Sequence, residues 1–570
     1  MGRWQSILEA GLKGNILVSK VIQVNGNSYT AVRHYHMATK HHPDHMARSL
    51  GYMDWQSQPK PFRAYAGTTR VSLPLEGNDP ALDFSRLYDG KGVQPSEITL
   101  HSISKFLELS MGLSAWKEAG RSRWALRMNP SSGNLHPTET HLVLPALDPA
   151  LPAGIYHYHP FWHALERRIT LSPELCGPLE AYFGGAGFLV ALSSVFWREA
   201  WKYGERALRY CLLDTGHALG ALRFAAGLLG WRVTWLSGLD QTSAERLLGF
   251  DRTQWPRHEP EHVELVGRVH TADEAVADEV PSEALLTTLG NAAVAGTPET
   301  LSRDHQPWTI ITDTATHLRR ASSVPVPAAV GHGSHSDAPE RAPSAAALIR
   351  QRRSGLAFRA DAVMPRLSFL SMLSRTLPRL GQVPFDNGFL APEVHLLLFV
   401  HQVEKVDPGL YILCRNRRDQ MDLKNLMHPS FEWTQVDAAL PLYRLHVGDV
   451  RQRAAEVSCR QALAGEGVFS LGMLARFDAV LRSAPWRYSE LFWEAGLIGQ
   501  VLYLEAEAHG FRGTGIGCFF DDAVHRWVGL DSEVFQSLYH FTVGLPIEDH
   551  RLKTYAPYGH LETMSENSQR

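Results

Sequence analysis

The feature that most constrains this chain is that it repeats itself. Within its 570 residues, segment 230–251 (GWRVTWLSGLDQTSAERLLGFD) aligns without a gap onto 510–531 (GFRGTGIGCFFDDAVHRWVGLD). A glycine stands fourteen residues before each segment, Gly216 and Gly496, and each opens an apolar stretch with helical spacing, ALGALRFAAGLL and IGQVLYLEAEAH. Farther upstream, Trp201-Lys202-Tyr203 corresponds to Trp486-Arg487-Tyr488, and HPTETHLVL (136–144) to LAPEVHLLL (390–398). Each of the latter reads as a strand and meets a Gly-x-Tyr, at 154–156 and 409–411. Landmarks in the same order in both halves indicate two like domains in one polypeptide, the arrangement of a fused dimer.

The length agrees, because a single hydrophobic core stops growing beyond about 250–300 residues. Between the halves, residues 271–345 are dominated by Thr, Ala, Ser, Pro, Asp and Glu, and such a composition buries little apolar surface. The expected division is an N-terminal extension over 1–75, domain one over 76–270, a partly disordered linker over 271–345, domain two over 346–560 and a disordered tail over 561–570. Strand-like segments mixed with amphipathic helices in each half predict an α+β class, with helices packed over a sheet.

Composition narrows the function. With 56 basic against 59 acidic residues and a formal charge of -3, nothing general draws the chain to nucleic acid or to an anionic membrane. Five well-separated cysteines with no C-x-x-C favour a reducing compartment, and no stretch approaches the roughly 20 apolar residues that span a bilayer. The expectation is a cytoplasmic protein. The cluster His34, His36, His41, His42 and His45 has loose spacing and no nearby cysteine, so it reads as a solvated N-terminal face, and no metal is expected.

Three motifs carry chemistry. Arg352-Arg353-Ser354 ends an Ala-rich helix, and two guanidiniums beside a hydroxyl suit a dianionic phosphate; a solvated basic helix end is the plainer alternative. Asn129-Pro130-Ser131-Ser132-Gly133-Asn134 forces a turn ahead of a strand and gathers small donors and acceptors on which a flat heterocycle could rest, or forms a polar surface loop. Lys202 and Tyr203 form an adjacent acceptor and donor of protons if their surroundings lower pKa values of about 10; otherwise they are an aromatic anchor and its charged neighbour. There is no G-x-G-x-x-G dinucleotide fingerprint.

In combination these motifs resemble the nitroreductase superfamily, and within it the SagB-type azoline dehydrogenases. Tyr35-His36 with Thr39-Lys40, the Pro-rich approach at 59–65, the loop at 127–137, the Lys202-Tyr203 pair and the C-terminal run 544–558 all match that branch, over roughly 30–270 and 340–560. The resemblance implies two tandem nitroreductase-like domains, each a mixed or antiparallel sheet flanked by helices, forming an intramolecular pseudo-dimer. It implies FMN as cofactor, its phosphate held by Arg352, Arg353, Ser354 and Arg551, and its ring set beside Pro130, Ser131, Ser132 and Asn134. Gly515, Ile516 and Gly517 resemble a tight turn whose backbone donates to the ring edge. Lys202 and Tyr203 are the implied catalytic pair. The implied reaction oxidises thiazoline or oxazoline rings to azoles in a ribosomally made peptide already cyclised by a cyclodehydratase partner, with dioxygen as acceptor and the N-terminal segment helping to clamp the peptide. NAD(P)H-dependent reduction of a nitro, quinone or enone compound, and a non-catalytic peptide-binding or scaffolding subunit, are the alternatives.

The halves depart from the family pattern in opposite ways. Domain one has PALDFSRLYDG where the Arg-Arg-Ser turn belongs, and domain two has Val383-Pro384-Phe385-Asp386-Asn387-Gly388 where the Ser-Ser loop belongs. The expectation is one flavin site assembled from both halves and an empty mirror site.

Overall fold

The computed structural model describes residues 28–562 apart from 76, 90–92, 185–186, 272–279, 322–342, 380 and 387–389. Residues 1–27, much of the expected linker and the tail beyond 562 lie outside that set.

Each half builds a seven-stranded sheet. The first runs Thr69–Ser72, Ala164–Thr170, Gly154–His159, Thr138–Leu144, Gly187–Ser194, His262–Thr271, Trp231–Trp235. The second runs Thr434–Gln435, Leu442–Val447, Gly409–Leu413, Val394–Val400, Phe469–Arg476, Phe535–Gly544, Arg512–Ile516. Beyond the first edge strand, the same chain order fills the same places in both sheets, and every pairing is antiparallel. The strand VHLLLFV, buried at every position, is apolar almost throughout because helices or loops cover both of its faces.

A 22-residue helix stands at the centre of each half, Ala207–Leu228 and Arg487–Ala508. These two long helices cross each other and are buried around their circumference, which is why neither shows a clean polar stripe. The crossing requires the paired glycines. A Cβ on Gly216 would lie 2.3 Å from the carbonyl oxygen of Trp493, and one on Gly496 would lie 2.2 Å from that of Leu213. One apolar core runs through both halves, and a smaller cluster lies over the outer face of each sheet.

The halves also exchange segments. Lys553–Tyr555, from the end of the chain, adds a strand to the hairpin Leu113–Ala119/Ser122–Arg127 of the first half. The Tyr558 hydroxyl accepts the Leu113 N–H at 2.9 Å. At the other end, the N-terminal helix Ser28–Ala38 and the residues after it bridge both halves. Asp521 takes Arg206 at 3.0 Å, Arg209 at 2.7 Å and the His41 N–H at 2.9 Å, while Lys40 pairs with Asp522 at 2.7 Å.

Two expectations change here. His36 and His41 are buried within this clasp while His34 and His45 are exposed, so only part of the histidine cluster is a solvated face: the chain needs the His36 carbonyl and the His41 ring nitrogen as acceptors for Arg209 and Ala47. Part of the expected linker is built structure, with helices Glu283–Asn291 and Thr309–His317 and a short strand Thr297–Pro298 paired to Tyr65–Ala66. Leu285, Leu286 and Leu289 give the first of these helices an apolar face that joins the outer cluster, a local pattern that average composition hides. Among the described residues no helix is long and apolar enough to cross a membrane.

Candidate functional site

A cavity of ≈700 Å³ opens between the halves. The first half contributes the loop from Asn129 to His136 and the hairpin side chains Lys117, Trp124 and Leu126; the second contributes Arg352, Arg353, Ser354, the strand end Arg512 to Gly517 and the C-terminal run near Leu552. The long helices supply Tyr210, Asp214, His217 and Tyr503. Pro130, Ser131, Ser132, Asn134, Tyr203, Arg352, Arg353, Ser354, Ile516 and Gly517 therefore share one cavity.

The Ser-Ser loop owes its shape to left-handed backbone. Gly133, Asn134 and His136 have φ of 58°, 60° and 55°, and asparagine tolerates that region better than most residues. Glycine at 133 has a second reason, since a Cβ there would lie 2.5 Å from the Tyr203 hydroxyl and 3.0 Å from Lys202 Nζ. The loop is tied down from below: the Ser132 N–H and Oγ donate to Asp214 at 3.0 and 2.9 Å, His136 N–H donates to Ser131 Oγ at 2.8 Å, and Asn134 Nδ2 donates to the Ala125 carbonyl at 2.9 Å. Among the described residues the buried Asn129 Oδ1 has no hydrogen-bond partner.

Across the cavity, Arg352 donates to the Arg127 carbonyl at 3.2 Å and Arg353 to the Ser114 carbonyl at 2.9 Å, so the second half grips the first through main-chain oxygens. Among the described residues neither guanidinium is in an ion pair, and the buried Arg352 Nε has no acceptor. Burial lowers the Arg352 pKa, while burial and then the Arg352 charge push Arg353 down to about 10. Ser354 Oγ shares a 2.9 Å hydrogen bond with Tyr503, whose hydroxyl accepts the Gly515 N–H at 3.0 Å. Two adjacent cations that are in no ion pair among the described residues, with only the Glu507 charge favouring both from nearby, stand beside a hydroxyl and form a donor set suited to a dianion.

Residues 93–258 match the nitroreductase family model. Over 91% of this chain and 99% of its own, a putative nitroreductase from Anabaena variabilis superposes with a TM-score of 0.66 at 20% identity. The fold is that of the nitroreductases. A putative nitroreductase from Ralstonia eutropha gives a TM-score of 0.26 at 14% identity, covering 40% of this chain and 99% of that one. The Escherichia coli microcin synthetase McbBCD complex with truncated pro-MccB17 bound gives 0.24 at 17%, covering 43% and 94%. No curated protein matches. The family match lies in the first half of this nitroreductase fold, so Arg352 to Ser354 fall outside it.

Four residues stand differently from what the resemblance implies. Arg551 is exposed and spends both its Nε and Nη2 on Asp549 at 2.9 and 2.7 Å, outside the cavity wall; Lys117, Arg127 and Arg512 are the additional cations that line it. Lys202 does not line the cavity either: half-buried, it stands behind the Ser-Ser loop against Gly133. Gly515 and Ile516 end an edge strand, Arg512–Ile516, instead of forming a tight turn, because the register continues to Ile516 opposite His540.

Asp214, Tyr210, His217, Tyr503 and Tyr539 line the cavity and were missed. Their signal was weak but present, since Asp214 and His217 interrupt an otherwise apolar helix run, LLDTGHALG. Burial raises the Asp214 pKa from 3.8 to about 7 against the hydrogen bonds from Ser131 and Ser132. Burial lowers Lys202 and raises Tyr203 well above its ordinary value. His217, pushed down to about 3 by burial, is neutral and bonds the Tyr539 hydroxyl at 3.0 Å. The wall thus offers a phenol that keeps its proton and a carboxyl that titrates near neutral pH, with an amine biased toward neutrality behind the Ser-Ser loop.

Proposed function

We propose that this protein is an FMN-dependent oxidoreductase that dehydrogenates thiazoline or oxazoline rings of a ribosomally made peptide to azoles. The observation that carries the reading is the meeting of the Ser-Ser loop of one half with Arg352, Arg353 and Ser354 of the other around one cavity, with Lys202 and Tyr203 packed on that loop.

The residues present fit the flavin. Two guanidiniums in no ion pair among the described residues and the Ser354 hydroxyl suit its phosphate. Glycine at 517 lets Tyr210 pack directly on the backbone of the cavity wall, since a Cβ there would stand 2.1 Å from Tyr210. Pro130, Ser131, Ser132 and Asn134 would border the ring, with the backbone of Ile516 and Gly517 at its edge. When bound, FMN supplies two-electron acceptance, taking a hydride from the substrate carbon. Lys202, drawn toward its neutral amine by burial and set behind the Ser-Ser loop, takes the carbon-bound proton by way of Tyr203, which lines the cavity. Tyr203 remains a phenol and donates a hydrogen bond to the substrate ring or to Lys202. Asp214 fixes the loop through Ser132.

The test is an absorption spectrum with flavin stoichiometry, followed by turnover of an azoline-containing peptide under air. One flavin per chain and a product lighter by two hydrogens are expected. Rapid bleaching by NADPH without azole formation moves the reading to a nitro, quinone or enone reductase. A colourless protein that cannot be loaded with FMN leaves a binding or scaffolding subunit.

A further inference from the structure

Two cysteines that take no part in the proposed chemistry meet at the cavity wall. Cys518 follows Gly517 and lines the cavity; Cys459 lies in the loop between helices Arg451–Val457 and Leu463–Glu466. Although 59 positions separate them, their Sγ atoms are 2.7 Å apart. That is inside the contact distance of unbonded sulfurs and only about 0.7 Å beyond an S–S bond of roughly 2.05 Å.

The backbone bends to bring them together. Cys459 and Arg460 both have left-handed φ, 54° and 58°, which for residues other than glycine costs on the order of 1–3 kcal/mol each and must be held by the surroundings. Gln461 provides that hold, donating to the Cys518 carbonyl at 3.0 Å and to the Ser458 carbonyl at 2.9 Å. Both thiols are partly exposed, whereas Cys211 and Cys414 are buried. Arg206 donates to the Gly517 carbonyl at 3.2 Å, which sets a cation beside Cys518. The hydrogen bond with Cys459, and after it the Arg206 charge, hold the Cys518 thiol below its ordinary range against burial; the Cys459 thiol is pushed up, mainly by its bond to Cys518. Cys518 is therefore the better nucleophile of the two.

We infer that Cys459 and Cys518 form a reversible disulfide in the cavity wall, a thiol–disulfide exchange site for small disulfides of the glutathione class. The inference goes beyond the oxidoreductase reading and stands without it. The Cys518 thiolate attacks one sulfur of the small disulfide, breaking its S–S bond and releasing one thiol. Cys459 then attacks the Cys518 sulfur and releases the second thiol. The two cysteines lose two electrons, their two protons end on the released thiols, and the small disulfide is reduced. The product ties the loop at 458–461 to the strand end that carries Gly517.

Full-length protein equilibrated over a series of reduced-to-oxidised glutathione ratios, quenched by alkylation and mapped by mass spectrometry, tests this. A peptide cross-linked through Cys459 and Cys518, lighter by two hydrogens and reopened by dithiothreitol, is expected. Complete alkylation of both residues at the oxidising end, or a stable glutathione adduct on Cys518 without the cross-link, overturns the inference. The C459S variant lacks the second thiol and is expected to trap glutathione on Cys518. An unmodified Cys518 in that variant, with Cys176 modified in the same sample, overturns it as well.

Discussion

The two halves place the same secondary structure around two equivalent positions, yet one is a cavity of ≈700 Å³ and the other a crevice of ≈20 Å³ lined by Leu219, Arg223, Trp235, Pro384 and Phe385. The repeat alignment sets Gly515 opposite Trp235. Trp235 covers Gly267, its partner in the ladder, so that a Cβ on Gly267 would lie 2.6 Å from the indole; Gly515 has no side chain to cover its own partner, and Tyr539 packs against it, with the hydroxyl 1.8 Å from where a Cβ would stand. Where the open side has Tyr503, the filled side has Arg223, already paired with Asp386 of the degenerate loop. The acids correspond as well: Asp214 holds the Ser132 N–H, and Glu494 holds those of Glu393 and Val394 while also pairing with Arg415. The proposed catalytic pair has a blocked counterpart too, since Tyr488 bonds His36 of the helix Ser28–Ala38 at 3.3 Å. Bulk and the Arg223–Asp386 pair close one site, and the corresponding places on the open side hold Gly515 and Tyr503.

The largest effect should come from copying the filled side onto the open one. G515W is expected to abolish bound flavin absorbance in a protein whose circular dichroism is unchanged, because even a Cβ at Gly515 would lie 1.8 Å from the Tyr539 hydroxyl. The reverse change, W235A, should leave flavin at one per chain and only destabilise the fold, by about 3–5 kcal/mol in denaturant titration. A second flavin in W235A would break the comparison.

K202A should retain flavin and lose azole formation by roughly 10²–10⁴-fold, the usual contribution of a positioned acid or base. Unchanged turnover removes Lys202 from the mechanism. R353A should weaken FMN about tenfold to a hundredfold by equilibrium dialysis, the worth of one charged hydrogen-bond donor, whereas R223A on the filled side should alter stability alone.

D214N tests the acid beneath the Ser-Ser loop. The folded pKa is raised from 3.8 to about 7, so the folded protein binds the proton more tightly than the unfolded chain. The stabilisation is complete below 3.8 and is lost as pH rises to about 7, on the order of 4 kcal/mol from this group. Urea unfolding of wild type should show that slope and D214N should not. The smallest effect is reserved for R551A, which should change neither flavin affinity nor Tm, since Arg551 faces solvent with Asp549.

The fold was readable because a repeat preserves periodicity: glycines at the helix crossing and strands before Gly-x-Tyr recur in both halves, and each is a local pattern. The Ser-Ser loop and the Arg-Arg-Ser turn were readable for the same reason, since turn chemistry and clustered charge are visible within six residues or so. Asp214, Tyr503 and Tyr539 were not, because a single polar residue in an apolar helix or strand shows nothing about which wall it joins. Arg551 was misread because a nearby carboxylate, Asp549, claims it in space. The apolar face at Leu285, Leu286 and Leu289 was lost in the average composition of its segment.

The sequence by itself determined that two like halves exist, that each lacks the motif the other retains, and which residues favour an anion or a flat ring. Only the tertiary structure decided which of the two equivalent positions is open. An opening is the volume left after side chains from distant segments have been placed, and that sum turns on Trp235 over Gly267 in one half and on Gly515 beside Tyr539 in the other.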